Sequence, residues 1–453
     1  MKKYLSLLLC GATWATLGAQ NDKVQGYIDN PSSIVYTSIA TEGDGLDSPV
    51  DLDFNPQVPW ELWVINMRTE NQGGSTVTIR AAGRSAQQAI HLVDGNAWHF
   101  MSLPTALAFG DNGAWGSAPG VYDANHQGGA RPPFTGPSLW SADLTIYAQN
   151  HGPGTNGSHL DMLHESPRCM GMAWEKDNIY WVFDGEFGHP VMYDFAADHG
   201  PGQHFHGDGK VRRYPEVSLN RLGLIPSHMD FDKDRKWLYM NDVGRSRVLR
   251  MDITTGTVKG NSTFPQMEQL AEYVDMENVT FEVINDKDFI RPSGLAMDGD
   301  VLIISDNGSG ELLFYDVSDP SFPLLRRIKV PYNDIMGITI GPEGRIWFVD
   351  KASKQLVRMD EATAALGIDE TKPSVEVSVY PNPVVNELRV NISQVGEKVS
   401  MNLYNLQGQS VTSTFVSSGQ GQWTASTSEL KPGMYLLEVQ MDHEVIHHQR
   451  ILK

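Results

Sequence analysis

The chain is short of cysteine, of positive charge and of long apolar runs, and each shortage removes a class of protein. Two cysteines occur in 453 residues, Cys10 and Cys169. Cys10 falls in an N-terminal leader, so the mature chain keeps one thiol and can form no internal disulfide. Its stability must come from apolar burial and strand pairing. Lysine and arginine total 35 against 55 aspartate and glutamate, a formal charge of −20. Nucleic-acid binding needs a basic face to neutralise phosphates, so no nucleic-acid partner is expected, and the acidity reads as solubility. No apolar run reaches the roughly 20 residues of a membrane-spanning helix, so no transmembrane span is expected. The Gly-x-Ser-x-Gly elbow, the Walker loop and the dinucleotide fingerprint are also missing.

What the chain does have begins with that leader. Met1-Lys2-Lys3, the apolar Tyr4–Cys10 and a small-residue stretch ending Leu17-Gly18-Ala19 form the three parts of a secretory signal peptide. We assign it residues 1–19, with cleavage near Ala19 or Gln20. The residues before Cys10 are not the small ones that precede a lipoprotein cysteine, so lipidation is not expected.

A repeated unit fills most of the rest. Ile225 to Asp252 reads as three short strands: Ser227–Phe231, Trp237–Met240 and Val248–Met251, divided by a charged turn and by Asn241-Asp242-Val243-Gly244. Such a piece cannot bury both of its faces alone, so copies must stack. Copies open at Ser48-Pro49, Leu103-Pro104, Ser166-Pro167, Arg291-Pro292 and Asp334-Ile335. The spacing, roughly 40 to 65 residues, is that of propeller blades. Ser32–Ile39 precedes the first copy and the last copy has only three strands, so 33–39 is expected to supply the missing outer strand. A long insertion in blade two, roughly 110–137, should precede strands at Leu139–Ala142 and Leu144–Tyr147. In blade four a short helix is expected around Gln266–Asp275.

The pattern Pro-x-Gly-apolar-Ala-apolar-Asp, followed by an apolar strand ending in Asp, resembles the NHL repeat. It is clearest at 226–252 and 291–317. The resemblance implies an all-β, six-bladed NHL/TolB-like β-propeller over residues 33–362. A polar linker (363–374) leads to a second all-β module, 375–453. Its Tyr380-Pro381-Asn382-Pro383, Leu403-Tyr404-Asn405-Leu406-Gln407-Gly408, Leu430-Lys431-Pro432-Gly433-Met434-Tyr435 and closing Arg450-Ile451-Leu452-Lys453 resemble the C-terminal sorting domain of type IX secretion cargo, a small β-sandwich. That likeness implies handling by the type IX machinery, passage through the periplasm of a Gram-negative bacterium, and a secreted or cell-surface destination.

Half of the fourteen histidines lie between 159 and 228. If each inner strand starts at the top of the propeller, strand order places His151, His159, His164, His189 and His228 at the top and His199, His204 and His206 at the bottom. His228 aligns with Gly294 and Gly337 and should reach the channel near its top end, with Arg168 and Asp184 nearby. Asp184, Asp242, Asp306 and Asp350 recur at the ends of second strands, where an aspartate serves as a turn acceptor. Cys169 should be buried and unreactive.

Two functions follow. One is an exported binding module that takes an unidentified extracellular ligand at Arg168, His228, His189 and Asp184. The other is a metal-dependent hydrolase or lyase, with His159, His164, His189 and His228 around zinc or copper and an alternative loop site at His199, His204 and His206. Ile225-Pro226-Ser227-His228 is similar to the Pro-His entry of the zinc propeller lyase that finishes peptide amidation. It is displaced by one residue, which turns the side chain to the opposite face, and the other inner strands carry no histidine.

Overall fold

The computed structural model describes residues 23–127, 133–203, 205–361, 377–393, 398–405, 409–411, 414–419, 421–441 and 444–453. The leader, the linker, His204 and Leu406–Gly408 of the sorting motif lie outside the described residues. The chain divides into two compact units, one holding the propeller and one the C-terminal strands.

In the first unit six sheets share one plan. The inner strands are Pro49–Phe54, Pro104–Phe109, Cys169–Lys176, Met229–Asp232, Pro292–Asp298 and Ile335–Ile340. Each pairs with the next strand in sequence, and four antiparallel strands make a blade. Each inner strand touches the inner strands before and after it, and the last touches the first. That closed ring is a six-bladed β-propeller.

The middle strands explain why the ring forms. Val301–Asp306 is apolar at successive positions, and its residues alternate between two cores: Leu302 and Ile304 face blade four, while Ile303 faces blade six. A strand covered on both faces reads as a continuous apolar run. The apolar core is accordingly six separate seams, one between each pair of neighbouring blades. At the end of these strands the recurring aspartates do accept turn hydrogen bonds. Asp306 takes the N–H groups of Ile290, Arg291 and Gly308, and Asp350 those of Asp334 and Ser353.

Closure is as the sequence implies: Ile34–Ala40 pairs antiparallel with Gln355–Glu361 as the fourth strand of blade six. A helix, Lys23–Asp29, adds a second fastening. Its Tyr27 hydroxyl donates to the Met359 carbonyl at 2.7 Å, and Lys23 meets Glu361 at 2.7 Å.

Three expectations are corrected. Ala114–Pro119 is the second strand of blade two, lying inside the span read as an insertion; its sequence AWGSAP lacks the β-branched residues that mark strands. The outer strand of that blade is Asp161–Met162, and Leu144–Tyr147 is turn, held by Asp143 accepting from Thr145 N–H. Gln266–Asp275 is not helical. The hairpin Thr257–Asn261 and Glu272–Glu277 instead extends blade three, the second strand pairing parallel to Lys210–Arg213.

The second unit is a pair of four-stranded antiparallel sheets around Leu388, Val390, Leu403, Leu437, Val439 and Ile451. The motif stretches meet in it. Asn382 Nδ2 donates to the Arg450 carbonyl, and Gly433 and Lys453 exchange main-chain hydrogen bonds.

Candidate functional site

Alternation along an inner strand sends every second residue into the channel, so the six strands stack their side chains in layers. Strand register puts Asp51, Ala106, Gly171, His228, Gly294 and Gly337 in one layer, and Asp53, Ala108, Ala173, Asp230, Ala296 and Thr339 in the next. Blades one and four, opposite each other in the ring, carry all the ionisable groups. The other blades have small residues there, and the space left is a cavity of about 230 Å³.

Above this layer hydrogen bonds tie the inner strands to their neighbours. Thr105 Oγ1 donates to the carbonyls of Ala118 and Cys169, Asn241 Nδ2 to those of Ser293 and Gly294, and Ser305 Oγ to that of Met336. The cavity runs from the middle of the inner strands to their C-terminal ends, where Trp174, Phe231 and Lys233 line it. It therefore opens at the end opposite the one expected from His228. At that mouth Lys233 Nζ lies 3.9 Å from the centre of the Trp174 ring.

The carboxylates tie blades together. Asp51 accepts from Leu52 N–H on its own strand and from Leu107 N–H on blade two, both at 2.9 Å. Asp53 does the same with Phe54 and Phe109, and Asp230 with Phe231 and Met297 of blade five. Burial nevertheless dominates their titration, pushing Asp51 up to about 8, Asp53 to about 7 and Asp230 to about 6. His228 Nε2 reaches across to the Thr105 carbonyl at 3.0 Å, and Nδ1 faces Asp51 Oδ1 at 3.5 Å. Burial pulls His228 down to about 4. At neutral pH the proton of this pair belongs on Asp51, so it is not an ion pair.

The remaining expected site residues do not join His228. Asp184 is fully buried, accepting from Glu186 and Phe187 N–H and pairing with Arg213 at 2.9 Å. His189 Nδ1 donates to the Phe187 carbonyl, and Nε2 accepts from Arg213. Both are thus removed from ligand contact by Arg213, a fully buried guanidinium that also reaches Tyr273 Oη and the Glu165 carbonyl. Arg168 lies 3.0 Å from Glu186 and faces Tyr122. His159 and His164 line a different cavity, on the rim, together with His99 and His206. The expected single ligand set His159, His164, His189 and His228 is therefore divided among three places. His199 bonds Asp208 at 2.9 Å, so the expected loop trio is not assembled among the described residues. The expected separation of His206 at the bottom from His164 at the top is not seen: their rings lie 5.5 Å apart.

Sequence reading missed Asp51, Asp53, Asp230 and Arg213. Asp51 and Asp53 carried a signal, since PVDLDF places two acids on one face of a strand whose other face is core.

Fold and site together define the class: a six-bladed propeller with an acidic axial cavity. Its C-terminal module gives the destination. Residues 378–453 match the family model described as the secretion system C-terminal sorting domain. The chain thus carries a type IX sorting domain, and it is exported to the cell surface or secreted. No helix among the described residues is long and apolar enough to cross a membrane. No curated protein matches the sequence. Among solved structures, an auxiliary nutrient binding protein from Bacteroides thetaiotaomicron is similar at 10% identity and a TM-score of 0.48, over 72% of this chain and 76% of that one. Regucalcin from Agrobacterium tumefaciens gives 13% and 0.42, over 72% and 94%. Virginiamycin B lyase from Staphylococcus aureus gives 8% and 0.41, over 72% and 99%. Likeness at this level carries no argument about function, and the propeller assignment rests on the strand ring itself.

Proposed function

We propose that this exported propeller is a binding module that captures a small organic cation in its axial cavity. The observation behind this reading is the placement of Asp51, Asp53 and Asp230 on opposite blades around one cavity, with Lys233 the cationic side chain at its mouth. Desolvated carboxylates whose protonation sits near neutrality are costly to a fold, and such groups gather at functional sites. A bound ammonium would stabilise their charged forms and release the protons they hold. At the mouth the face of Trp174 is already occupied by the ammonium of Lys233, so the reading rests on the carboxylates alone. The cavity's size limits the ligand to a few heavy atoms.

Thermal unfolding of the full chain with putrescine tests the reading. Stabilisation of the wild type, absent from an Asp53→Asn/Asp230→Asn variant, is expected. An equal shift in both, or none in either, would remove it.

A further inference from the structure

The rim cavity, about 440 Å³, lies between the outer edges of blades two and three. The short helix Ala97–Phe100, Phe134, His159, His164 and His206 line it, and Glu268, on the turn of the blade-three hairpin, stands against His164 beside it. One ligand-type atom from each of His164, His206 and Glu268 falls within 4.8 Å of the others.

Each group is held by a neighbour. His206 Nδ1 is 2.5 Å from Asp161 Oδ1, the carboxylate–imidazole arrangement that orients metal-ligating histidines. Glu268 Oε1 accepts the His164 main-chain N–H at 2.7 Å and lies 3.1 Å from its Nδ1. Phe134 stacks on the His164 ring, centroids 3.7 Å apart and planes 17° apart. The hairpin turn is itself anchored by Glu165, which accepts from Met267 and Glu268 N–H.

Two atoms in this network have no protein partner. His164 Nε2 and Asp161 Oδ2 are both buried without a hydrogen bond, in side chains 3% and 0% exposed. A buried polar atom left unpaired is costly to a fold. Two of them within one cluster of imidazoles and carboxylates call for something the polypeptide does not supply.

We infer that His164, His206 and Glu268 hold a divalent transition-metal ion of the zinc type, with Asp161 orienting His206. Two imidazoles and a carboxylate are a zinc donor set, and three protein ligands leave a coordination position open toward a small molecule. Trp98, His99, Phe134 and His159 wall the space beside it. This site is separate from the axial cavity, and the two readings stand or fall independently.

The test uses full-length, tag-free protein, stripped with a chelator, loaded with zinc sulfate, desalted and analysed for bound metal. Wild type should retain about one equivalent more than His206→Ala or His164→Ala. Asp161→Asn should weaken zinc affinity about 10- to 100-fold. His199→Ala, in the same loop but bonded to Asp208, should retain zinc as wild type does. Should the histidine variants fail to fold by circular dichroism, Glu268→Gln decides the matter. Cobalt(II) in place of zinc should give visible absorption bands in wild type only. No retained zinc in wild type, or equal retention by the folded variants, would overturn the site.

Discussion

Arg213 shows how a single residue can organise this propeller without touching a ligand. Its guanidinium pairs with Asp184, fixes the His189 ring and caps the Glu165 carbonyl, all out of water. Replacing it leaves a buried carboxylate without its counter-charge, a loss of about 3–5 kcal/mol. Arg213→Leu should show that loss in urea denaturation, and the double variant with Asp184→Asn should recover part of it. The axial acids make a second residue-scale prediction, about pH. The folded-state value of Asp51 is about 8, above the 3.8 of an exposed carboxyl. Between these values the folded chain keeps a proton that the unfolded chain releases, so its contribution to stability falls as pH rises and the loss is complete above about 8. Asp51→Asn should flatten the decline between pH 5 and 8 by about 1 kcal/mol per pH unit. At this scale the sequence was only partly readable. Alternation found the channel position of His228 and the aspartate turns. It could not say that Arg213 of the third blade's KVRR strand would neutralise Asp184, because that partnership joins strands through a buried side chain and not through register.

At the scale of elements, the inner strands approach so closely that glycine becomes a requirement. A Cβ on Gly171 would sit 2.0 Å from the Ser227 carbonyl oxygen of the next blade, whereas one on Gly337 would meet the Asp51 side chain at 2.4 Å. Backbone cannot yield as a side chain can. Gly171→Ala should therefore destabilise the ring by about 1–3 kcal/mol. Gly337→Ala, whose Cβ would also meet the Asp51 Cα at 2.8 Å, should destabilise as well and in addition shift the titration of Asp51 and His228. Comparison of melting curves and pH profiles separates the two effects. Elements with strong period-two patterning were legible, among them the closing strand Ile34–Ala40. Those that failed were short or lacked β-branched residues, like Ala114–Pro119 and Asp161–Met162. The helix expected at Gln266–Asp275 overlapped the start of the hairpin strand Glu272–Glu277, whose pattern takes meaning only from the parallel edge at Lys210–Arg213. Loop length defeated the facial sorting of histidines. Fifteen residues between Asp194 and Lys210 can span roughly 50 Å, ample to carry His206 from one face of a blade to its rim.

At the scale of the whole molecule, export and the proposed binding fall in separate parts of the chain. The sorting domain supplies the destination, and its motif stretches were readable because they lie at chain positions that the small sandwich brings into direct hydrogen bonding. The propeller supplies a cavity whose chemistry comes from only two of its six blades. A ring closed by pairing its first and last segments can hold opposed carboxylates at a fixed distance across the axis, even though each of them prefers water. The proposed role of these carboxylates is to hold a positive ligand. It is tested most directly by calorimetric titration of the full chain with putrescine at pH 7, in two buffers that differ in ionisation heat. Binding should release about one proton per site, because the acids titrate near that pH, and both binding and release should vanish in Asp53→Asn/Asp230→Asn. Binding without proton release, binding that survives the double substitution, or no binding at all would contradict it.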